Sequence, residues 1–247
     1  MEENIVLEVK NVAKTFYVMD KHASMGKRVL SLINPKKHAQ RVEALKAVNF
    51  KVFKGDFLGI IGENGSGKST LLKIIIGYID GDEGGSVKVS GRLTKLALGM
   101  AFDDALTARD NIYLNGSIFG LTFDEIRERF DEIVKYAEVE KFINTPLRFY
   151  SSGMRSRLAL SIALHAEADI FLIDEFFGEV GDIGFKAKSN NIFNNRIANG
   201  KTILFVSHFM NLIEKYCNRL LVIDKGNGYL FENVQEGLLF YKNQVSA

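Results

Sequence analysis

A glycine-rich segment followed by a lysine has the residue types and spacing of a phosphate-binding site. It reads GENGSGKST, from Gly62 to Thr70, and follows the apolar run Phe57–Ile61. The glycines let successive backbone N–H groups face phosphate oxygens at a helix N-terminus, whose partial positive charge favours anions. Unless the segment is only an ordinary glycine turn, Lys68 bridges the β- and γ-phosphates and the Ser69 hydroxyl ligates Mg²⁺. The predicted nucleotide contacts in this segment are Gly62, Glu63, Asn64, Gly65, Ser66, Gly67, Lys68, Ser69 and Thr70.

Two adjacent acids at the end of an apolar run form a second candidate. Ile170–Glu175 reads IFLIDE, so a buried strand delivers both carboxylates at its C-terminal end. Burying such a strand end is costly unless the acids have partners. With a phosphate loop upstream, we expect Asp174 to hold Mg²⁺ and Glu175 to orient or deprotonate the attacking water. On its own, the same pattern also fits a strand edge that meets solvent.

The elements that must position these residues are typical of a mixed α/β core. Short β-branched or apolar runs recur between glycine-marked turns, and three of them are almost wholly apolar, as strands covered on both faces by helices are. The predicted strands are Ile5–Val9, Ala47–Phe53, Phe57–Ile61, Val87–Val89, Leu93–Leu98, Ile170–Asp174, Thr202–Val206, Arg219–Ile223 and Tyr229–Glu232.

The middle third of the chain has helical rather than strand spacing, from about Asn111 to Ala168. We therefore expect a helical subdomain, at about residues 105–168, inserted into the α/β core. Its clearest apolar stripe is formed by Phe123, Ile126, Phe130, Ile133, Val134 and Ala137.

Composition excludes several classes of protein. The 247 residues are 47% hydrophobic and 25% charged, which is ordinary globular composition. The 32 basic and 30 acidic residues leave a net charge of +2, so we expect no nucleic-acid partner. The single cysteine, Cys217, cannot form an internal disulfide, which favours a reducing compartment. The chain has neither a signal-peptide pattern nor a run of about 18 uncharged apolar residues, so we expect it neither to be secreted nor to span a membrane.

Two further segments give the chain a resemblance to a known family. YSSGM, Tyr150–Met154, stands about twenty residues before the acid pair and directly before a helical segment. It resembles the signature LSGGQ of ATP-binding-cassette (ABC) ATPases, and TILFVSH, Thr202–His208, is similar to that family's strand and switch histidine. Outside this context, His208 would read as an ordinary surface or capping histidine. The resemblance covers nearly the whole chain and implies one P-loop NTPase domain of the ABC type over residues 1–247, with ATP and Mg²⁺ bound.

The resemblance also implies roles for individual residues. His208 acts at the catalytic centre with Glu175 and Lys68. Ser151 and Gly153 supply a hydroxyl and a backbone N–H to the γ-phosphate of ATP held by a second copy, which implies a homodimer with ATP between the copies. Ser151 or Ser152 could also cap the following helix, and capping and phosphate contact are compatible. Phe16, beside Tyr17, matches the aromatic platform for adenine, unless it is a core aromatic.

Departures from the general family pattern are similar to those of the subfamily that exports bacterial surface polysaccharides, namely O-antigen, capsule and teichoic acid. Ser152 and Met154 replace a glycine and the glutamine of the signature, and a basic insert spans Tyr17–Glu43. No glutamine occurs between Leu93 and Asp110, where other cassettes have one, so that role is left unassigned. The register that would make Asp182 the interface aspartate is also left open.

The resemblance implies an exporter ATPase that drives a separate membrane permease subunit carrying a lipid-linked polysaccharide. Such a subunit sits on the cytoplasmic face of the bacterial inner membrane, attached through the permease. One alternative is the ATPase of another transporter type. The other is a soluble cassette acting on ribosomes or DNA, which the single cassette and the lack of sustained heptads disfavour.

Overall fold

The structure is a computed structural model that describes residues 4–18, 40–96, 101–174 and 201–245. The strands are β1 (Ile5–Val18), β2 (Gln40–Phe53), β3 (Phe57–Ile61), β4 (Ser86–Val89), β5 (Leu93–Leu96), β6 (Ile170–Asp174), β7 (Thr202–Val206), β8 (Arg219–Asp224) and β9 (Asn227–Phe231). The α-helices are α1 (Lys68–Ile75), α2 (Ala108–Ile118), α3 (Phe123–Ala137), α4 (Ser152–Leu164), α5 (Met210–Tyr216) and α6 (Val234–Phe240). Short 3₁₀ helices span Glu140–Phe142 and Leu147–Phe149, and a π-helical turn spans Tyr241–Val245.

The chain divides into two compact units. Unit one is drawn from residues 1–52, 60–89 and 219–247, and unit two from residues 53–59 and 90–218. In unit one, β2, β1 and β4 form a sheet in that order, with β1 and β4 antiparallel. The C-terminal half of β3 lies beside β8, which pairs antiparallel with β9. Helix α1 follows β3 and buries Leu71, Leu72, Ile74 and Ile75.

Unit two contains a parallel sheet and a group of helices. Its strands run in the order β5, β6, β7 and the N-terminal half of β3. The pairs β5–β6 and β6–β7 are both parallel, and Asp174 at the end of β6 stands opposite Val206 of β7. Every residue of β7, and every residue of β6 except Asp174, is buried, which explains their nearly continuous apolar sequence.

Helices α2, α3 and α4 lie in unit two, between strands β5 and β6 in the chain. Helix α3 begins with a capping box in which the Glu125 carboxylate accepts from the Thr122 backbone N–H at 2.6 Å. This hydrogen bond is the main cause that lowers the pKa of Glu125, and the hydrogen bond with the Thr122 hydroxyl is the second. Ile126 and Ile133 are fully buried, as the predicted stripe requires. Phe123 does not belong to the buried stripe: it is 66% exposed and stacks on Tyr113, with ring centroids 5.7 Å apart.

Three of the strand predictions match the structure, β1, β2, β4 and β8 are longer than predicted, and β9 begins two residues earlier and ends one residue earlier than predicted. Strands β3, β6 and β7 have the predicted bounds. Strand β1 continues from the predicted end at Val9 to Val18, because pairing with its neighbours supports a polar segment that no apolar run marks. The predicted end of β5 at Leu98 lies outside the described residues.

In the part of the chain that the structure describes, no helix combines the length and the apolar composition needed to cross a lipid bilayer.

Candidate nucleotide site

The glycine-rich loop lies between a fully buried strand and a helix, which is the context that a phosphate loop requires. Gly67 is the N-cap residue of α1 and has a left-handed backbone with φ 116°. A Cβ at Gly67 would lie 2.4 Å from the Ala44 carbonyl oxygen, and one at Gly62 would lie 2.2 Å from that of Ile223. Both positions therefore exclude any side chain, since real Cβ atoms do not approach so closely.

Lys68 is folded back over the loop. Its Nζ donates hydrogen bonds to the carbonyl oxygens of Gly62 and Glu63, each at 2.7 Å, and the residue is only 8% exposed. The ammonium charge is thus held where the loop backbone curls, instead of extending into solvent.

The loop has unmet hydrogen-bonding capacity that fits a phosphate ligand. Among the described residues, no side chain caps the N-terminus of α1, so the N–H groups of its first turn rely on other partners. Ser66 is buried, and its Oγ has no hydrogen-bond partner within the described residues. The backbone of Ser66 is nevertheless fixed, because its N–H donates to Glu63 O at 3.2 Å and its carbonyl accepts from Gly226 N at 2.9 Å. A rigid loop with an unsatisfied buried hydroxyl suits a polar ligand.

Asp174 ends β6 as the one residue of that strand that is not buried. Its Oδ2 lies 3.2 Å from Lys95 Nζ on β5. Asp174 and the exposed Ser69 both carry oxygen donors of the kind that Mg²⁺ prefers, so their chemistry fits the predicted metal role. Glu175 and Asp182 lie outside the described residues.

Ser151 is the N-cap residue of α4, and its Oγ accepts from Met154 N at 3.2 Å. Of the two serines proposed as caps, the structure selects Ser151. Among the described residues, a Cβ at Gly153 would meet only Ser151 Oγ, at 3.9 Å, so their packing does not demand glycine there. The preceding residue, Tyr150, is buried and donates from its hydroxyl to Phe142 O at 2.8 Å; burial raises its pKa to about 12.

The remaining predicted residues have exposed side chains. His208 follows β7 and is exposed, whereas Ser207 before it is buried and accepts from Phe209 N at 3.1 Å. Phe16 is 37% exposed and has Lys14 Nζ 5.7 Å from its ring centroid, so it is not a core aromatic. It also lies within β1, because the strand continues past its predicted end at Val9 to Val18.

Sequence reasoning missed two residues near these segments. Lys95 was only one polar residue in a strand-like run, and nothing local marks its ion-pair partner Asp174, which is 79 residues later in the chain. Asn111 is fully buried: its Oδ1 accepts from Asp103 N at 2.9 Å, and its Nδ2 donates to Asp103, Leu106 and Thr107 carbonyls. It thereby ties the turn after β5 to α2. An asparagine in the first turn of a predicted helix was the available signal.

A sequence profile described as ABC transporter matches residues 45–178, which include the phosphate loop, the signature segment and the acid pair. The chain belongs to the ABC transporter family. A 25% identical solved structure, a dimeric ATP-binding cassette in a post-hydrolysis state bound to ADP and Pi, has a TM-score of 0.67 and aligns over 92% of this chain and 98% of its own. The predicted P-loop NTPase fold of the ABC type, and ATP hydrolysis as the activity, are confirmed.

The relatives of this ABC ATPase agree with the predicted subfamily. An O-antigen export system ATP-binding protein RfbB from Klebsiella pneumoniae is 39% identical over 225 residues, which cover 89% of this chain and 90% of the relative. A protein of the same description from Myxococcus xanthus is also 39% identical over 225 residues, which cover 88% of this chain. The chain spans about half, 51%, of the length of that second relative. The resemblance to polysaccharide-exporter ATPases is therefore confirmed, whereas the individual site residues stay predictions.

Proposed function

We propose that this ABC ATPase binds and hydrolyses ATP with Mg²⁺ between two copies of itself, and so powers export of a lipid-linked surface polysaccharide through a separate membrane permease. The observation that carries the nucleotide part is the loop Gly62–Gly67, with Lys68 held across it and Ser66 Oγ unsatisfied. The export part is supported by the likeness to the RfbB proteins, which are named for O-antigen export.

Each predicted residue has a task in this proposal. The loop N–H groups and Lys68 neutralise and orient the β- and γ-phosphates. Ser69 and Asp174 are the proposed Mg²⁺ ligands, and bound Mg²⁺ would add positive charge where the transferred phosphoryl group is negative. Glu175 polarises the attacking water, His208 contacts the reacting phosphate, and the exposed Phe16 ring stacks on adenine.

The dimer part of the proposal rests on the start of α4. This 13-residue helix presents its partial positive charge at Ser151–Gly153, and it has no acidic residue in its first turn. Gly153 is the second residue of α4, and the described residues around it would admit a Cβ. Glycine is useful at this position if the γ-phosphate held by a second copy approaches from outside the chain, because no Cβ then stands between the phosphate and the backbone N–H.

A location on the cytoplasmic face of the inner membrane, attached through the permease, follows if the export proposal is correct. Neither alternative is favoured by an observation: the relatives named for O-antigen export support neither an ATPase of another transporter type nor a cassette that acts on ribosomes or DNA.

Deletion of the gene, followed by complementation, tests the export proposal. We expect the deletion strain to lose surface polysaccharide and to accumulate the lipid-linked precursor inside the cell. Wild-type protein should restore export, and Lys68→Ala should not, although it is produced at the same level. If surface polysaccharide is unchanged by the deletion while the purified protein hydrolyses ATP, the chain is an ATPase of another transporter.

A further inference from the structure

Lys95 and Asp174 form an ion pair that the register of the parallel sheet sets up. Lys95 on β5 stands opposite Leu172 on β6, and Asp174 is two residues beyond Leu172. Side chains two residues apart on a strand share a face, so the long lysine side chain can reach along that face to the strand end. Nζ lies 3.2 Å from Asp174 Oδ2.

The pair is partly shielded from water. The side chains of Lys95 and Asp174 are 25% and 37% exposed. Among the described residues, Lys95 is the cation within ion-pair distance of Asp174, and the four residues before Asp174 in β6 are buried and apolar. The carboxylate proposed for Mg²⁺ thus already has a positive partner within the chain.

We propose that Lys95 is a positioning residue that holds the Asp174 carboxylate in the metal-free protein and competes with Mg²⁺ for it. This inference rests on the proposed role of Asp174 as a metal ligand. An ammonium and a divalent cation draw on the same carboxylate and repel each other, so metal binding must weaken the ion pair. Lys95 consequently lowers the affinity of the site for divalent cations.

The competition ties metal loading to the nucleotide. Without nucleotide, a divalent cation that displaces Lys95 from Asp174 would gain only protein oxygens as ligands. If nucleotide binds as proposed, its phosphate oxygens would add ligands and negative charge to the cation, and the displaced Lys95 ammonium would turn to the solvent that it already meets. Lys95 would therefore disfavour a divalent cation at Asp174 until nucleotide is bound.

Binding of Mn²⁺, measured by the electron paramagnetic resonance signal of the free ion, tests this without relying on hydrolysis. The purified protein is titrated with Mn²⁺ in the presence and absence of ADP. Lys95→Met keeps the length of the side chain and removes its charge. We expect Mn²⁺ to bind this variant roughly two- to five-fold more tightly than wild type, as removal of a partly exposed ion pair allows. The gain should shrink in high salt.

Three further variants test whether the tighter Mn²⁺ binding comes from loss of the Lys95 charge beside Asp174. Lys95→Arg keeps the charge and should retain wild-type affinity. Lys51→Met removes a lysine from a comparable pair, 3.3 Å from Glu8 in unit one, and should change nothing. In an Asp174→Asn background, Lys95→Met should no longer tighten Mn²⁺ binding, because the carboxylate for which the two cations compete is gone. Thermal unfolding of each variant checks that the fold is intact.

The outcomes separate this inference from the proposal on which it rests. If Asp174→Asn leaves Mn²⁺ affinity unchanged, the metal role of Asp174 is wrong, and the inference falls with it. If Asp174→Asn weakens Mn²⁺ binding but Lys95→Met has no effect, only the competition is overturned. If Lys95→Met weakens Mn²⁺ binding, Lys95 does not compete with the metal for Asp174, which also overturns the inference.

Discussion

The Lys68 ammonium donates a hydrogen bond to the carbonyl oxygen of Gly62, six residues earlier in the chain, at 2.7 Å. Gly62 is itself obligatory, because a Cβ there would lie 2.2 Å from the Ile223 carbonyl oxygen. The backbone conformation of the loop and the position of the positive charge are therefore set together. A ligand bound in the loop would therefore contact the loop backbone and the Lys68 ammonium together.

Lys68→Ala should abolish ATP hydrolysis, because the backbone N–H groups alone do not neutralise the charge that develops on the γ-phosphate. Loss of such a preorganised contact costs about a hundred-fold or more in rate. Phosphate release by the purified protein measures it. Lys51→Ala, which removes an exposed paired lysine, is the control. Turnover near the wild-type rate in Lys68→Ala would mean that this loop is not the phosphate site.

Gly67→Ala should destabilise the protein by about 3 kcal/mol, because the new Cβ meets Ala44 O at 2.4 Å and the backbone has φ 116°. Gly65→Ala is the matched control: its φ is also positive, at 81°, but no described residue lies within 4 Å of a Cβ there. That change should cost only about 1 kcal/mol. Denaturant unfolding compares the two, and equal losses would contradict the close approach of Ala44 to the loop.

Sequence patterns predicted the parts of the fold that depend on local composition. Strand β6 and the segment Gly62–Thr70 are marked by unbroken apolar runs and by fixed glycine spacing, and both lie where predicted. The Lys95–Asp174 pair could not be predicted, because it depends on the register between two parallel strands distant in the chain. The strand that contains Phe16 was predicted to end at Val9, since polar residues such as Lys14 hide the continuation of β1.

Ser151 has two proposed tasks, capping α4 and contacting the γ-phosphate across a dimer, and two substitutions separate them. Ser151→Ala loses the cap and should cost about 1 kcal/mol of stability as well as activity. Ser151→Asp caps a helix as well as serine does but places a negative charge where the γ-phosphate must approach. We expect this variant to keep wild-type stability and to lose ATP hydrolysis. Full activity in Ser151→Asp would leave capping as the only role.

Glu175→Gln should separate nucleotide binding from the chemical step. The amide keeps the shape of the side chain but removes the charge that polarises water, so binding should survive while hydrolysis slows roughly a hundred- to ten-thousand-fold. Because Ser151 and Gly153 are proposed to reach the γ-phosphate only across a dimer, persistent ATP should hold two copies together. Size-exclusion chromatography should then show a dimer with ATP and Mg²⁺ and a monomer without them.

Two variants serve as controls for this trapped dimer. Asp174→Asn should impair Mg²⁺-dependent binding and trap no dimer, and adding Ser151→Asp to Glu175→Gln should abolish the trapped dimer. A Glu175→Gln protein that stays monomeric in saturating ATP, or hydrolyses it normally, would refute the proposed sandwich.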